Sequence, residues 1–409
     1  MASEDIAVTK FREYIRIDTE QPEPDYEKAY KFLQDYAKEL ELEVKRSEVI
    51  PGRPMVIPGR PMVILKLQGT KPELKSLMLY SHMDVVPTFK DQWKYDPYSA
   101  HKEDNGRIYG RGTQDMKCVG IQYLEAYRRL KKAGKKNFTR TIYFVFGADE
   151  ETGGQAMQLF LKSQDFKDLN LGFTLDEGLA SEDDSYKVYY AERCVFWVVV
   201  SCKGSPGHGS RFIENDAGSK LRKVINSFYT FREEQKAKLE NSGGKLKLGD
   251  VTTANLTKIE GGVQANVVPD EIKAYFDVRV TPSMLDEMDE NIKKWCSEAG
   301  PDVTYTFLQH GLVKTTTPTT DDDAFWKAFS TTLKQENCKF ETEIFIGATD
   351  SRYLRELGYR SIGFSPMNNT PILLHDHNEY LDESVFLRGI EIYEKLIPNL
   401  ANVEAENEP

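Results

Sequence analysis

A short apolar run that leads into potential metal ligands recurs along this chain, and this recurrence limits the fold more than any other feature. Such runs have the pattern of strands buried on both faces of a parallel sheet, and they occur at 76–80, 141–146 and 171–175. The side chains that follow them are His82, Glu150, Glu151 and Glu177. Parallel strands end at one edge of a sheet, where open α/β sheets bind ligands. We therefore expect an α/β protein with these side chains gathered at that edge.

Two further positions extend this set. The apolar run at 361–364 is followed by a loop that contains His375, and Asp115 directly precedes a predicted helix at 116–130. Asp115 fits a helix N-cap as well as a metal ligand, and a carboxylate has lone pairs for both roles. So many hard ligands on one side of one sheet favour a metal site.

The immediate neighbours of these residues suggest divided roles. A histidine two residues before an aspartate, as in His82 and Asp84, can bind a metal through one ring nitrogen and donate its other N–H to the carboxylate. The acidic turn that contains Glu150 and Glu151 is either solvated or functional. In an extended backbone the two side chains point in different directions, so that one could bind a metal while the other handles a proton.

The composition narrows the class of protein. A chain of 409 residues predicts two or three domains, and its net charge of -11 repels nucleic acids and anionic membranes. The N-terminal pattern is that of a first helix rather than a signal peptide, and no apolar run approaches the length of a membrane span. Five scattered cysteines fit reduced, buried thiols. These features predict a cytoplasmic protein.

Between the predicted strands lies a segment of different character. Residues 187–310 follow the order strand, helix, strand, strand, helix, strand, which is typical of a ferredoxin-like α+β domain. This order predicts an inserted domain at 187–310 and a discontinuous domain formed by 1–186 and 311–409. Within the insert, His208 lies in a turn rich in Gly and Pro, where a surface histidine is the alternative to a functional one.

A heptad is duplicated in tandem near the N-terminus. The sequence Val-Ile-Pro-Gly-Arg-Pro-Met occupies 49–55 and again 56–62. One copy would form a Pro-Gly turn between two strands, whereas two copies place four prolines where a β-ladder needs N–H donors. We expect the second copy to loop out of a tolerant surface turn.

Six ordered motifs resemble those of the co-catalytic zinc aminopeptidase, carboxypeptidase and aminoacylase superfamily, and the similarity covers nearly the whole chain. They lie at 81–87, 112–117, 149–154, 175–178, 206–210 and 375–379. Residues 114–118, 365–368 and 373–377 look most like the aminoacylase branch. The resemblance implies a mixed, largely parallel sheet flanked by helices, with the insert as a lid and dimerisation domain.

The resemblance also implies a site with two Zn²⁺ per subunit. Asp115 would bridge the two ions, one being completed by His82 and Glu177 and the other by Glu151 and His375. Three carboxylates and a bridging hydroxide would leave the centre nearly neutral. Asp84 would orient the ring of His82.

The implied reaction is the hydrolysis of N-acyl-L-amino acids to a carboxylate and a free L-amino acid. Glu150 would act as general base toward the metal-bridged hydroxide, and His208 of a homodimer partner would stabilise the oxyanion. The substrate carboxylate calls for an arginine; Arg352 is the first candidate, with Arg279 and Asn266 from the insert as supporting contacts.

Two other functions remain open at this stage. A dipeptidase on the same fold would need an acceptor for a free ammonium group, which one sequence does not reveal. A pseudoenzyme that only binds partners would be favoured by loss of a ligand or of the base, and this chain retains all of them.

Overall fold

The computed structural model describes residues 4–48 and 59–404. Residues 49–58, which comprise the whole first copy of the duplicated heptad and the start of the second, lie outside the described residues. The remainder of the second copy, which was expected to loop out, instead leads directly into β2 at Met62. The helices are α1 (Ile6–Ile15), α2 (Tyr26–Leu40), α3 (Lys117–Lys132), α4 (Gln155–Phe160), α5 (Gln164–Lys167), α6 (Ala217–Glu240), α7 (Leu285–Ala299), α8 (Ala324–Gln335), α9 (Ser351–Glu356) and α10 (Glu383–Ala401).

The strands alternate with these helices along most of the chain. They are β1 (Glu43–Ser47), β2 (Met62–Leu67), β3 (Ser76–His82), β4 (His101–Lys102), β5 (Arg107–Tyr109), β6 (Ile142–Gly147), β7 (Leu171–Asp176), β8 (Ser185–Glu192), β9 (Cys194–Lys203), β10 (Gly207–His208), β11 (Thr253–Gly261), β12 (Val267–Val268), β13 (Glu271–Val280), β14 (Val303–His310), β15 (Lys339–Phe345), β16 (Arg360–Gly363) and β17 (Tyr380–Asp382).

The chain divides into two compact units. Unit 1 comprises Met1–Tyr190, Thr317–Thr342 and Thr349–Pro409, and unit 2 comprises Ala191–Thr316 and Glu343–Ala348. The border near residue 190 falls later than the predicted position 187, because β8 continues as a strand of the large sheet.

An eight-stranded sheet forms the centre of unit 1, in the order β1-β2-β6-β3-β7-β16-β8-β15. The four adjacent strands β6, β3, β7 and β16 are parallel, whereas β1, β2 and β8 pair antiparallel to their neighbours. All seven residues of β3 are buried, as expected for a strand covered on both faces. The predicted fold class, a largely parallel mixed sheet flanked by helices, is confirmed.

Helices cover this sheet through apolar faces. α3 packs against β3, α10 and α1, and its buried face includes Ile121, Leu124 and Leu130 at helical spacing. The stacked rings of Phe11 and Phe386, 4.4 Å apart, join α1 to α10. The N-terminal end of α3 is thereby fixed close to the carboxyl end of β3.

Unit 2 contains an antiparallel sheet in the order β11-β13-β9-β14. With α6 and α7 in the connections, this is the strand order of a ferredoxin-like sandwich. Its core is aromatic: Phe228 of α6 stacks on Phe276 of β13 at 3.8 Å, and Trp295 of α7 meets Phe228 edge-on. Across the described residues, no helix combines the length and apolar character needed to cross a membrane.

Candidate active site

The carboxyl ends of the four central parallel strands gather the candidate ligands. His82 is the last residue of β3, Glu150 and Glu151 follow β6 in a 3-10 turn, and Glu177 follows β7 directly. His375 lies in the long loop after β16. Because these strands are neighbours in the sheet, side chains separated by nearly three hundred residues in sequence meet in one place.

Asp115 lies between two histidine–carboxylate pairs. Its Oδ1 is 3.0 Å from Nε2 of His82, and its Oδ2 is 3.3 Å from Nε2 of His375. Glu177 approaches the same nitrogen of His82 at 3.6 Å, and Glu151 approaches that of His375 at 3.0 Å. The five residues predicted as metal ligands are thus brought together as two groups that share one carboxylate.

The close packing of carboxylates and imidazoles raises the pKa values of His375, Glu151 and Glu150. Hydrogen bonds to Asp115 and Glu151 raise the pKa of His375 to about 10. Burial, reinforced by the charge of Asp115, raises the pKa of Glu151 to about 7. Burial and the carboxylate of Glu177 raise the pKa of Glu150 well above its usual range. Buried carboxylates at this density require compensating positive charge.

The donor set fits a divalent metal. Ligand atoms of His82, Asp115 and Glu151 lie within 4.8 Å of one another, and so do those of His82, Glu150 and Glu177. Carboxylate oxygens with imidazole nitrogens, and no sulfur, form a donor set that suits Zn²⁺. Glu150, predicted as the base, therefore lies close enough to His82 and Glu177 to be a further potential ligand.

Asp84 supports the site in a way that the sequence pattern did not predict. Nδ1 of His82 lies 2.9 Å from the main-chain oxygen of Asp84, whereas the Asp84 carboxylate is 3.5 Å away. That carboxylate instead accepts hydrogen bonds from the main-chain N–H groups of Glu150 and Glu151, at 3.2 and 3.3 Å, and from the side chain of Gln21 at 2.8 Å. Asp84 therefore joins the end of β3 to the loop after β6.

Glu379 ties the loop of Asp115 to the loop of His375. Its buried carboxylate accepts hydrogen bonds from the guanidinium of Arg111 at 2.9 Å and from the main-chain N–H of Gln114 at 2.6 Å. Further contacts come from the main-chain N–H groups of Gly112 and Asp115. Glu379 was not among the predicted site residues, although an acidic residue four positions after His375 was a usable signal.

The side chain of Gln114 reinforces the same connection from the opposite direction. It donates to the main-chain oxygens of Pro371 and Tyr380 at 3.0 and 2.9 Å, and accepts from the N–H of Leu373 at 3.0 Å. Glu379 and Gln114 together fix the separation of the two loops that carry Asp115 and His375.

Arg352 lies beside the loop of Glu150 and Glu151. It occupies the first turn of α9, and its Nη2 donates to the main-chain oxygen of Gly153 at 3.2 Å and to the hydroxyl of Tyr353 at 2.9 Å. The guanidinium also lies 4.5 Å from the centre of the Tyr353 ring. These contacts hold its charge in a defined position.

The remaining three candidates belong to unit 2. His208 is exposed, and its Nδ1 lies 2.8 Å from the hydroxyl of Ser210. Asn266 is close to it, because the N–H of Gly209 donates to the main-chain oxygen of Asn266 at 2.8 Å. Arg279 binds both carboxylate oxygens of Asp277, at 2.7 and 3.0 Å.

Arg279 is separated from the other two within unit 2. It lies near the end of β13, while the hairpin of His208 and Asn266 precedes the start of that strand. Arg279 is eight residues after Glu271 along the strand, which corresponds to about 26 Å. One copy of unit 2 therefore does not bring His208 and Arg279 to the same point.

A mixed α/β sheet whose strand ends hold two histidine–carboxylate pairs around a shared aspartate defines a metal-dependent hydrolase. The chain belongs to peptidase family M20/M25/M40, whose family model matches residues 78–399.

Among its relatives is aminoacylase-1 of Sus scrofa, which is 50% identical over 401 residues, covering 98% of this chain and 96% of the relative. Aminoacylase-1 of Dictyostelium discoideum is 44% identical over 413 residues, covering 97% and 98%. An M20 family metallo-carboxypeptidase from Sulfolobus solfataricus has a similar fold, with a TM-score of 0.70 and 17% identity over 97% of this chain and 99% of the other.

Proposed function

We propose that this chain hydrolyses N-acyl-L-amino acids to a carboxylate and a free L-amino acid, with two Zn²⁺ bound per subunit. The observation that carries the proposal is the position of Asp115, whose two oxygens face two different histidines. The high identity to aminoacylase-1 along the whole chain supports the substrate class.

The residues that would hold one Zn²⁺ are His82, Asp115 and Glu177, and those for the other are Asp115, Glu151 and His375. When bound, the two ions would polarise the carbonyl of the scissile amide and make a water molecule between them more acidic. Their four positive charges also compensate the three ligand carboxylates. This positive charge would also offset the burial and the repulsion from Asp115 that raise the pKa values of Glu151 and Glu177.

Glu150 acts as the general base. The main-chain N–H of Glu150 donates a hydrogen bond to the carboxylate of Asp84 at 3.2 Å, which fixes the backbone of Glu150 beside the candidate ligands. A glutamate whose pKa is raised by burial is suited to take a proton from the attacking water and return it to the leaving nitrogen. The neighbouring Glu151 is occupied by His375, so the two acidic residues have separate tasks.

Arg352 binds the α-carboxylate of the substrate. A guanidinium can pair with a carboxylate through two parallel hydrogen bonds, and this one is already oriented by Gly153 and Tyr353. Arg279 and Asn266 are supporting contacts. Arg279 would have to share its guanidinium with Asp277.

The enzyme works as a homodimer in which His208 of the partner subunit stabilises the oxyanion. The support lies in the geometry of unit 2, where His208 and Arg279 are separated by much of the length of β13. If both contact one substrate, they come from two copies of the chain. The exposure of His208 leaves its ring available for such a contact.

The location that we propose is the cytoplasm. In the described part of the chain, Cys118, Cys194, Cys202, Cys296 and Cys338 are all buried and free of disulfide bonds. Reduced thiols of this kind are typical of a reducing compartment.

The test is to measure hydrolysis of N-acetyl-L-methionine beside a methionine-containing dipeptide of matched size, before and after removal of metal with a chelator and restoration of Zn²⁺. We expect zinc-dependent turnover that favours the acetyl substrate. Preference for the dipeptide would assign the chain to the peptidases on this fold, and absence of zinc-dependent turnover of either compound would refute the proposal.

A further inference from the structure

The second copy of the duplicated heptad contains Arg60, which contacts the loop of the proposed base. Its Nη1 lies 2.7 Å from Oδ2 of Asp149, the residue directly before Glu150. The Asp149 carboxylate is completely buried, whereas about a third of the Arg60 side chain is exposed. The guanidinium therefore reaches from the surface to a buried acidic group.

Strand register determines which copy of the heptad makes this contact. β2 pairs antiparallel with β6, and Val63 lies opposite Phe146. Arg60 is three residues before Val63, and Asp149 is three residues after Phe146. The same register, continued past the ends of both strands, sets Arg60 opposite Asp149. Arg53 of the first copy is seven residues further from β2 along the sequence.

Asp149 organises the loop in which Glu150 and Glu151 lie. Its backbone is left-handed, with a φ of 60°, and its main-chain oxygen accepts hydrogen bonds from Thr152 and Gly154 at 3.2 and 2.8 Å. Its other carboxylate oxygen accepts from the N–H of Ala156 at 2.9 Å. A left-handed aspartate is an uncommon conformation that persists only where its surroundings fix it.

Loss of the guanidinium would leave the Asp149 carboxylate buried with one charge partner fewer. A buried charge without its partner is strongly unfavourable, so the carboxylate would move toward water. Movement of Asp149 would displace the adjacent Glu150 and Glu151, because their positions depend on the same turn. The effect would reach both the base and one of the candidate ligands.

We propose that Arg60 is a positioning residue for the base and that only the heptad copy joined to β2 has this role. The inference rests on the proposed function, since Glu150 and Glu151 are the base and a ligand there. Arg60 acts through Asp149 and touches neither substrate nor metal. The duplication thus supplied two chemically identical arginines, of which one is used.

The chain offers its own matched control. Arg60→Ala and Arg53→Ala remove the same side chain from identical local sequences. Both variants, Arg60→Lys and the parent are compared for kcat and KM with N-acetyl-L-methionine and for Zn²⁺ affinity by calorimetric titration of the metal-free protein. We expect Arg60→Ala to lower kcat on the order of tenfold and to weaken Zn²⁺ binding, while KM changes little. Arg53→Ala should behave as the parent, and Arg60→Lys should recover part of the loss.

A deletion provides the second arm. Removing 49–55 gives the same sequence as removing 56–62, and leaves one heptad with its arginine at the same distance from β2. This variant should keep the kcat and Zn²⁺ affinity of the parent.

The inference is overturned if folded Arg60→Ala matches Arg53→Ala in kcat and Zn²⁺ affinity, or differs from it only in melting temperature. It is also overturned if the deletion lowers kcat as much as Arg60→Ala. Failure of the parent itself to bind Zn²⁺ or to hydrolyse the substrate would instead refute the proposed function, so the two failures are distinguishable.

Discussion

The candidate residues of unit 1 and those of unit 2 are held in opposite ways. Around Asp115, the ligands other than His375 are buried or half-buried, and the exposed His375 lies in a loop that is fixed to the others through Glu379 and Gln114. His208 is exposed on a two-residue strand and is oriented by the adjacent Ser210. Groups that must hold charge at fixed distances need a rigid network, whereas a group that meets substrate from outside needs only a local hairpin. Substitutions in the two regions should therefore have different signatures.

The largest effect is expected from Glu150→Gln in unit 1. The amide keeps the shape of the side chain but cannot accept a proton from water, so kcat should fall by about 10²–10⁴-fold. Zinc content, measured by atomic absorption, should remain that of the parent. Turnover at the parent rate by a variant that retains zinc would show that Glu150 is not the base.

His208→Ala should reduce kcat by about 10²–10³-fold, the usual cost of losing one oxyanion donor. Because the side chain is exposed, the melting temperature should stay constant. His310→Ala is the matched control, since His310 is another histidine of unit 2 and pairs with Asp289. Equal losses in the two variants would contradict a specific role for His208.

Glu379→Gln should weaken Zn²⁺ binding about 10- to 100-fold, as loss of a residue that supports metal ligands commonly does. The weaker site should be the one formed by Glu151 and His375, because Glu379 fixes the loop of His375. Glu125→Gln is the control: Glu125 is also buried, and it pairs with Arg128 and Tyr36 away from the site. The control should lower thermal stability and leave Zn²⁺ affinity unchanged; calorimetric titration distinguishes the two.

Per pH unit, the smallest expected effect is a pH dependence of Zn²⁺ binding that is confined to unit 1. In the metal-free protein the pKa of His375 is raised to about 10, so its ring is protonated at pH 7 and Zn²⁺ must displace a proton. Apparent affinity should therefore rise about tenfold per pH unit for each proton released, as pH increases from 7 toward 10. Calorimetric titrations with Zn²⁺ in buffers of different ionisation enthalpy measure the number of protons released on binding. His208→Ala should release the same number of protons, and zero release by the parent would contradict the assignment.

The fold was predictable because apolar periodicity is a local property. Predicted strands at 76–80, 141–146 and 171–175 correspond to β3, β6 and β7, and the order of elements in unit 2 follows the prediction. The short strands β4, β5 and β17 were not predicted, because a strand of two or three residues is too short to show an apolar period.

The supporting contacts of the site were not predictable in the same way. That the Asp84 carboxylate accepts from the amides of Glu150 and Glu151, and that Glu379 accepts from the loop of Asp115, depends on segments that meet only after folding. The residue types of the ligands and the edge of the sheet at which they lie were predictable from the sequence. The distances that place Asp115 between His82 and His375 depend on the tertiary structure.

The interruption of unit 1 sets the order in which its metal centre can be assembled during synthesis. His82, Asp115 and Glu177 all precede unit 2, whereas His375 follows it. At about 5–20 residues per second, the roughly 200 residues between Glu177 and His375 take about 10–40 s to synthesise. For that interval a nascent chain carries every ligand of one proposed ion, while the other lacks its histidine. On the proposed assignment, a ribosome-bound chain that ends before His375 would therefore carry the full ligand set of only one ion.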